Sequence, residues 1–291
     1  MEELQKREFS VGTFNVRGLV DDSKKEQLVR DTKRYGIDIC AIQETKIETA
    51  NELIIDGCKL ITFESTVSQY GNGFVVAEKW KDKIKYWRES DRLCVLQIAE
   101  ENFDCEIIKD LKVKFVRKNS GNKTINIINA YAPTTDRAKK FPKETEKFYK
   151  HLNKITKELS KKPSSLTVIA GDFNSKVGKR NGLEACLGNW SRGRRNNNGS
   201  ALVEFCEQNN KFIANSCFQH PAKHITTWSQ KRLDKSSGRM IDIYNQIDYI
   251  IMNQTNKHIL CILRYRNFPG SWTCSRHDGN EMAKDLSTTI K

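Results

Sequence analysis

The strongest constraint on the fold is a series of short apolar runs with strand character, separated by polar segments. Residues 9–16 alternate polar and apolar side chains, and β-branched and aromatic residues dominate the later runs. The predicted strands cover residues 9–16, 38–43, 59–64, 73–77, 92–99, 123–131, 166–170, 212–216, 225–229, 246–252 and 259–265. Runs of this length are typical of strands and short for helices, so the chain predicts a fold built on β-sheets.

Three segments have helical spacing instead. Residues 23–35 begin with Ser23, and Glu26 follows three positions later, which is typical of a capping box. Residues 199–210 form a short second segment, and residues 141–160 repeat apolar side chains near a helical period. Those side chains are Phe141, Phe148, Leu152, Ile155 and Leu159. Many strands with a few helices predict sheets that pack on each other under a cover of helices, an α/β sandwich.

The charge balance indicates a polyanionic partner. The 291 residues include 50 Lys and Arg against 36 Asp and Glu, a formal net charge of +14. Such an excess over a globular length favours nucleic acid as the partner. No run of about 18 apolar residues occurs, so no membrane helix is expected. The polar N-terminus lacks the apolar stretch of a secretory signal.

The nine cysteines predict a reducing environment. No two of them are spaced as C-x-x-C, and most lie in apolar surroundings, which is typical of free buried thiols rather than of a zinc site. We therefore expect a nuclear or cytoplasmic protein. No repeat or Ser/Gly linker divides the chain, so one domain is expected. Residues 101–118 predict a charged hairpin or insertion, either a solvated edge or a binding surface.

Polar residues stand where apolar strands end, and they indicate a site. Acids and amides in such positions are costly to desolvate unless they hold a metal or each other. Five predicted strands show the pattern, with Asn15, Glu44, Tyr131, Asp172 followed by Asn174, and Asp248. Caps and turns alone do not explain five cases in one chain. The pattern predicts that these side chains converge.

Seven motifs in order carry a resemblance to a known family. They are TFNVRG (13–18), IQETK (42–46), NAYAPT (129–134), GDFN (171–174), TTW (226–228), QIDYI (246–250) and S-x-H (275–277). This set resembles the endonuclease/exonuclease/phosphatase superfamily, the fold of DNase I. The resemblance implies a four-layered α/β sandwich with two packed, mainly antiparallel β-sheets flanked by helices. It covers residues 9–277 as the domain, and leaves 1–8 and 278–291 as tails.

Further segments narrow the resemblance. Residues 178–210, 213–218, 225–230 and 245–250 are similar to the endonuclease of RTE-type non-LTR retrotransposons and to craniofacial development protein 2-like proteins. The resemblance implies a DNA endonuclease of retrotransposon origin that nicks by metal-dependent phosphodiester hydrolysis. A monomer is assumed. An inert nucleic-acid- or protein-binding relic and a phosphoinositide or sphingolipid hydrolase remain as alternatives.

The family chemistry assigns a role to each strand-end residue. Glu44 resembles the ligand of Mg²⁺, for which Mn²⁺ substitutes, and Asn15 joins the metal shell. Asp172 is expected to orient or deprotonate the attacking water, which Asn174 positions. Asn15 and Tyr131 also hold the phosphate.

The remaining assignments concern the far end of the chain and its basic segments. His277 is expected to contact the scissile phosphate, with Asp248 accepting the other ring N–H of His277. Trp228 either stacks on a base or sugar or simply packs in its strand. Residues 192–195 and Lys139-Lys140 are candidates for phosphate contacts.

The last motif departs from the family pattern. The family has Ser-Asp-His, whereas this chain has Ser275-Arg276-His277. Arginine in place of aspartate changes the local charge by two units, which predicts weaker metal binding and impaired activity. Two alternatives stay open, because Arg276 could clamp the phosphate or fold outward. Residues 278–291 lack strand alternation and predict a helix or a frayed tail instead of a closing strand.

Overall fold

The structure is a computed structural model that describes residues 9–100, 104–108, 112–116, 123–161, 165–234 and 236–255. Within these ranges the strands are β1 (Val11–Asn15), β2 (Ile39–Gln43), β3 (Asn51–Ile55), β4 (Cys58–Thr62), β5 (Asn72–Val76), β6 (Ile84–Ser90), β7 (Leu93–Glu100), β8 (Asp104–Ile108), β9 (Lys112–Val116), β10 (Lys123–Tyr131), β11 (Ser165–Asp172), β12 (Lys211–Ile213), β13 (Trp228–Leu233), β14 (Met240–Asn245) and β15 (Asp248–Asn253). The α-helices are α1 (Asp22–Arg34), α2 (Thr135–Lys140), α3 (Pro142–Leu159), α4 (Asn197–Gln208) and α5 (Ala222–Ile225).

Two mixed sheets form the body of the protein. The five-stranded sheet has the order β1-β2-β5-β4-β3, and the six-stranded sheet has the order β12-β15-β11-β10-β7-β6. Each sheet contains one parallel pair, β1 with β2 and β10 with β11, and its other neighbours are antiparallel. The predicted pair of mainly antiparallel sheets is therefore confirmed.

Three apolar clusters separate four layers. Residues such as Ile39, Phe74 and Ile127 fill the space between the sheets. Helix α1 covers the outer face of the five-stranded sheet through a cluster that includes Leu28. Helices α3 and α4 cover the outer face of the six-stranded sheet through a cluster that includes Leu152. The order helix, sheet, sheet, helix is the predicted α/β sandwich, because each strand alternates its side chains between two apolar layers.

Several local predictions were wrong. Helix α1 begins at Asp22 with Asp21 at the N-cap and no side-chain capping bond, so Ser23 lies inside the first turn and the capping box is absent. Phe141 precedes α3 and is 54% exposed, so it does not belong to the apolar face of that helix. The strand predicted at 212–216 ends at Ile213 and continues as a 3₁₀ turn.

Two hairpins stand apart from the main sheets. Strands β8 and β9 pair antiparallel, which confirms an extended hairpin within the charged segment 101–118. Strands β13 and β14 form a second antiparallel pair, so the strand predicted at 225–229 is displaced to 228–233. The predicted strand at 259–265 and the tail 278–291 lie outside the described residues.

Most of the described thiols lie in the core. Five cysteines are buried and Cys217 is half-buried, and no disulfide joins any two of these six residues. The buried five are Cys40, Cys58, Cys94, Cys186 and Cys206. None of the described helices combines the length and apolar character needed to cross a bilayer.

Candidate active site at the junction of the two sheets

The polar strand-end residues lie on the inner face of the sandwich, at one end of both sheets. Alternation along each strand directs Asn15 and Tyr131 to the face that contacts the opposite sheet. The strand registers then place Asp172 between Tyr131 of β10 and Asp248 of β15. The inner layer is therefore apolar along most of its length and polar where the candidate site forms.

The amide of Asn15 joins two carboxylates across the sheets. Its Nδ2 donates to Oε1 of Glu44 at 2.8 Å and to Oδ2 of Asp172 at 2.9 Å. Its Oδ1 accepts the backbone N–H of Arg17 at 3.1 Å, which sets the orientation of the amide. The hydroxyl of Tyr131 donates to the same oxygen of Glu44 at 2.8 Å. Two donors thus hold Oε1 of Glu44, while its Oε2 has no partner among the described residues.

The loops around the site hold a strained backbone. Left-handed φ values disfavour residues other than glycine, and such strain persists where the surroundings over-determine it. Four such residues surround the site: Arg17 (φ 50°), Glu44 (φ 54°), Lys46 (φ 57°) and Asn174 (φ 48°). The loop after β2 packs closely on Gly71, where an added Cβ would lie 2.3 Å from Oγ1 of Thr45. This packing keeps the carboxylate of Glu44 directed at Asn15.

Two buried aspartates face each other across β11 and β15. Burial raises the pKa of Asp172 to about 6, with Glu44 adding to the rise and the donors Asn15 and Asn174 opposing it. Burial and the neighbouring Asp172 also raise the pKa of Asp248. Oγ1 of Thr227 opposes that second rise and accepts the backbone N–H of Asp248 at 3.3 Å. Each acid is held in a dry position where a cation would be favourable.

The turn after β11 orients Asp172. The backbone N–H of Asn174 donates to Oδ1 of Asp172 at 2.8 Å. Nδ2 of Asn174 donates to the carbonyl of Ala132 at 3.0 Å, so its Oδ1 is left for a ligand. Gly171 is required here, because a Cβ would lie 1.8 Å from the carbonyl oxygen of Ala130.

A buried arginine behind the site was missed in the sequence. Arg92 is 8% exposed, and its guanidinium lies 4.1 Å from the ring centroid of Tyr70. Nη1 donates to the carbonyl of Tyr131 at 3.2 Å, and Nη2 donates to the hydroxyl of Tyr70 at 2.8 Å. Nε and Nη2 both reach Oε1 of Glu144. Arg92 therefore fixes the backbone and the ring of Tyr131, the donor to Glu44.

Buried amides beneath the site connect the sheets. Nε2 of Gln43 donates to Oδ1 of Asn129 at 2.7 Å. Nδ2 of Asn129 donates at 2.8 Å to the carbonyls of Ile42 and Gly73, on β2 and β5. Both amide residues are fully buried. Both belong to motifs recognised in the sequence, and the signal that could have identified them is their inner-face position, two residues from Tyr131 and next to Glu44.

Most of the sequence matches one known protein family. Residues 12–277 match the Endonuclease/Exonuclease/phosphatase family. The chain belongs to this family. Its fold and its ordered motifs are those of the family, as the sequence predicts.

Similar proteins agree with this membership. Craniofacial development protein 2 of Bos taurus is 28% identical over 252 residues, which cover 86% of this chain and 36% of that protein. This chain thus spans about a third of the length of the relative. The similarity to craniofacial development protein 2 predicted from the sequence is confirmed.

Solved structures share the fold at low identity. The AP endonuclease LMAP of Leishmania major has a TM-score of 0.59 at 12% identity, covering 86% of this chain and 80% of the other. The APE2 catalytic domain of Xenopus laevis has a TM-score of 0.57 at 14% identity, covering 85% and 83%. The endonuclease domain of TRAS1, a telomere-specific non-LTR retrotransposon, has a TM-score of 0.50 at 10% identity, covering 86% of each chain. These likenesses show the fold.

The oxygen donors of the site suit a hard divalent cation. Glu44 and Asp172 offer carboxylate oxygens, the ligands that Mg²⁺ and Mn²⁺ prefer, and Asn15 holds both carboxylates through its Nδ2. Burial is the main cause of the raised pKa values of Asp172 and Asp248, with the neighbouring acids adding to the rise, and a bound cation would favour the ionised carboxylates. Among the described residues no group of three or more His, Cys, Asp or Glu side chains is spaced to enclose a metal. The site therefore fits an ion that keeps several waters and takes one or two carboxylates.

The other predicted residues divide into three groups. Trp228 starts β13 next to Thr227 and is half-buried, at the rim of the acidic site. Ser275, Arg276 and His277 lie outside the described residues. Of the remaining histidines, His151 lies in α3 with Nε2 3.4 Å from Glu89, away from the site.

Two arginines of the basic segment 192–195, a candidate for phosphate contacts, also bond within the protein. Arg195 forms two bonds to the carboxylate of Glu184 and one to the carbonyl of Val177. Arg192 donates to the carbonyl of Ala222 and to Oγ1 of Thr226. The guanidinium of Arg195 and Nη1 of Arg192 stabilise the loop itself, whereas Nε and Nη2 of Arg192 have no hydrogen-bond partner in the described part of the chain and residue 194 is exposed.

Proposed function

We propose that this protein is a divalent-metal-dependent phosphodiesterase that nicks DNA. The observation that best supports the proposal is the convergence of Glu44 and Asp172 on the amide of Asn15, with Asp248 beside them. A set of hard-oxygen ligands, with Asp172 and Asp248 buried and Glu44 half-buried, suits metal-assisted attack on a phosphodiester. The net charge of +14 and the AP endonucleases among the structural neighbours favour DNA as the substrate.

In the proposed reaction Asp172 orients the attacking water and accepts a proton from it. A pKa of about 6 makes Asp172 a stronger base than an ordinary aspartate while leaving it mostly ionised near neutral pH. Asn174 presents its Oδ1 to the same water. The oxygen of the water bonds to phosphorus, and the bond from phosphorus to the leaving oxygen breaks.

Other groups hold the phosphate and complete the proton balance. Asn15 and Tyr131 position the phosphate, and burial together with Glu44 raises the pKa of the Tyr131 hydroxyl, which stays a donor. The leaving oxygen takes a proton from His277, whose other ring nitrogen donates to Asp248. Glu44, with Asn15 in the metal shell, would hold a Mg²⁺ or Mn²⁺ ion, which would supply Lewis-acid stabilisation of the charge that develops on the phosphate.

The test is nicking of supercoiled plasmid by the purified chain. With Mg²⁺ we expect conversion to the open-circular form, and EDTA should stop it. Asp172→Asn and His277→Ala should each lower the rate by at least about 100-fold, because general acid–base groups contribute about that much. Asp82→Asn is the matched control, since Asp82 is exposed and outside the site. Undiminished nicking by both site variants would refute the assigned roles.

Trp228 is proposed to contact the substrate by stacking. Trp228→Ala should raise KM several-fold with little change in kcat, because base stacking contributes binding and not proton transfer. Trp228→Phe retains an aromatic face and should restore most of the affinity. Loss of kcat at unchanged KM would contradict a stacking role.

The binding-only relic is the second candidate, and the motif Ser275-Arg276-His277 is the observation that favours it. Arg276→Asp restores the family pattern. A large gain in nicking by this variant would support a chain impaired by its arginine. An unchanged rate in an active protein would place the arginine outside the chemistry. Retrotransposon origin is proposed from the likeness to the TRAS1 endonuclease domain, and the nuclear or cytoplasmic location stays a prediction.

A further inference from the structure

The solvent face of α3 carries a stripe of five lysines. Lys143, Lys147, Lys150, Lys154 and Lys157 follow one another at alternating steps of four and three residues. At 3.6 residues per turn these steps confine all five to about 80° of the helix circumference. We call these five residues the lysine stripe. All five are exposed.

The lysine stripe is opposite the face that packs on the six-stranded sheet. Phe148, Leu152 and Ile155 point inward from α3 and are buried in the outer cluster. The stripe therefore follows a helix side that is free of the core along its whole length. A helix rises 1.5 Å per residue, so the stripe is about 21 Å long.

The stripe is not neutralised by its own helix. Exposed helix faces usually place Glu and Lys three or four positions apart, and the resulting pairs stabilise the helix. Glu146 and Glu158 are exposed on α3, yet no ion pair between either of them and the stripe is present in the described part of the chain. Neighbouring lysines at these spacings repel each other, which weakens the helix and gains nothing within the described protein. A polyanion would relieve that repulsion.

The stripe begins at the end of the sandwich that carries the candidate active site. Glu144, in the first turn of α3, binds Arg92, which in turn holds the carbonyl of Tyr131. The far end of α3 lies beside the start of β11, where Oγ of Ser165 donates to the carbonyl of Leu159. Since Asp172 is at the other end of β11, the stripe leads away from the site along the side of the sandwich.

The basic charge is continuous between the site and the stripe. Helix α2 follows Tyr131 within a few residues and carries Arg137, Lys139 and Lys140, all exposed. Arg137 shares Glu144 with Arg92, whereas no ion pair of the two lysines is present within the described residues. Helix α2 thus adds two unpaired lysines directly before α3 in the chain, and a run of cations of this length favours one long polyanion over separate small ligands.

We propose that the lysine stripe binds the phosphate backbone of duplex DNA that flanks the scissile phosphate. This inference rests on the proposed DNA nicking for one point only, the position of the scissile phosphate from which the duplex extends. The charge is carried by lysines on a regular helix with no aromatic or forked guanidinium groups among them, which suits backbone contact without base readout. The stripe would thus set affinity and salt dependence and leave the chemistry to the site.

The test is the binding of fluorescent duplexes at several salt concentrations without metal, so that no cleavage occurs. The quadruple variant Lys147→Gln, Lys150→Gln, Lys154→Gln and Lys157→Gln removes four phosphate contacts. For a duplex of about 30 base pairs, the slope of log K against log salt should fall by about 3.6, at 0.9 per contact. Affinity near 0.1 M salt should fall at least tenfold. A hairpin with a stem of about 4 base pairs spans about 14 Å at 3.4 Å per pair, less than the stripe, so its slope should fall by clearly less than that of the long duplex.

A matched control separates contact from overall charge. Lys33, Lys59, Lys83 and Lys85 lie at the end of the sheets opposite the site, and their change to Gln removes the same net charge. The control should retain the wild-type slope on both probes. Equal losses for the control and stripe variants, or equal losses on the short and long probes, would overturn the proposal. Wild-type binding without nicking would refute the nuclease function alone, because the binding assay needs no turnover.

Discussion

At the scale of single residues, Arg92 connects the core to the candidate site. Its guanidinium binds the carbonyl of Tyr131 and the carboxylate of Glu144 while stacking on Tyr70. A buried guanidinium that donates hydrogen bonds to several acceptors holds those acceptors in one arrangement, because a buried polar group left without a hydrogen bond is costly. The hydroxyl of Tyr131, and through it Glu44, depends on this arrangement. Arg92 is therefore a positioning residue.

We expect Arg92→Met to lower the nicking rate about 10- to 100-fold, since an unanchored Tyr131 no longer holds Glu44 in place. The affinity for duplex DNA measured without metal should change little. Arg92→Lys keeps the charge but loses the fork, so it should recover only part of the rate. Rates per folded molecule are compared after circular dichroism confirms the fold.

Arg88→Gln is the control for Arg92. Arg88 also pairs with an acid, Asp91 at 2.5 Å, but contacts neither Tyr131 nor Glu144 in the described structure. Its removal should leave the nicking rate unchanged. If Arg92→Met lost stability but kept the full rate, a positioning role would be wrong.

At the scale of elements, β10 connects the two sheets near its C-terminal end, next to the site. Asn129 donates to carbonyls of β2 and β5 in the other sheet, whereas Asn126 bonds to Gln97 and Thr167 within its own sheet. Both asparagines are fully buried. Of these two asparagines, only Asn129 bonds across the sheets and so helps to set the distance between Glu44, on the five-stranded side, and Asp172, on the six-stranded side. The strand therefore provides two equally buried amides for comparison, one that bonds across the sheets and one that bonds within its own sheet.

We expect Asn129→Ala to destabilise the protein by about 2–4 kcal/mol, because two carbonyls lose a buried donor. Nicking per folded molecule should also fall, since the two halves of the site are no longer held together. Asn126→Ala should cost comparable stability but keep the nicking rate. Urea unfolding and plasmid nicking measure the two effects separately. Equal losses of rate in both variants would show that the connection between sheets has no special role.

At the scale of the whole molecule, the fold holds buried acids that oppose its stability near neutral pH. Burial raises the pKa of Asp172 to about 6 and also raises that of Asp248, against an ordinary value of 3.8. A raised folded-state pKa means that the native protein binds these protons more tightly than the unfolded chain does. The loss of folding stability that comes from ionising these buried acids is absent below pH 4 and grows as pH rises through about 6. Three apolar clusters carry the fold despite this penalty.

We expect Asp172→Asn to stabilise the metal-free protein at pH 8 by about 1–3 kcal/mol and to have little effect at pH 4, because burial raises the pKa of Asp172 to about 6. Thermal unfolding in EDTA should therefore show a Tm difference of about 2–6 °C that appears only as pH rises. Added Mg²⁺ should reduce the difference by stabilising the wild type through binding. Lower stability of the variant at pH 8 would contradict an unfavourable acid pair.

Much of this architecture was predictable because buried strands have a clear local pattern. Strands β2, β5, β10, β11 and β15 pack between two apolar layers, and their continuous apolar runs located them within one or two residues. Strands β3 and β6, at sheet edges, and β14, in an exposed hairpin, were missed because a strand with one exposed face or edge mixes charges into its pattern. The start of α1 was misplaced because its N-cap residue makes no side-chain hydrogen bond.

The candidate site was predictable in composition but not in arrangement. Polar residues at the ends of apolar strands identified Glu44, Tyr131 and Asp172, and the motifs assigned the chain to its family. Alternation is a local property with a period of two, so it is readable from a single segment. The alternation shows which face of the sheet each side chain occupies.

Which side chains meet across the sandwich depends on how two sheets pack, and no local pattern sets that. Asn15 and Asp172 share a hydrogen bond although 157 positions separate them. The buried partners of Arg92 come from a loop, a strand end and a helix start, so its role had no signature in its own segment. Local pattern encodes the strands and the chemical groups at their ends, and the burial of apolar surface between the sheets brings those groups together into a site.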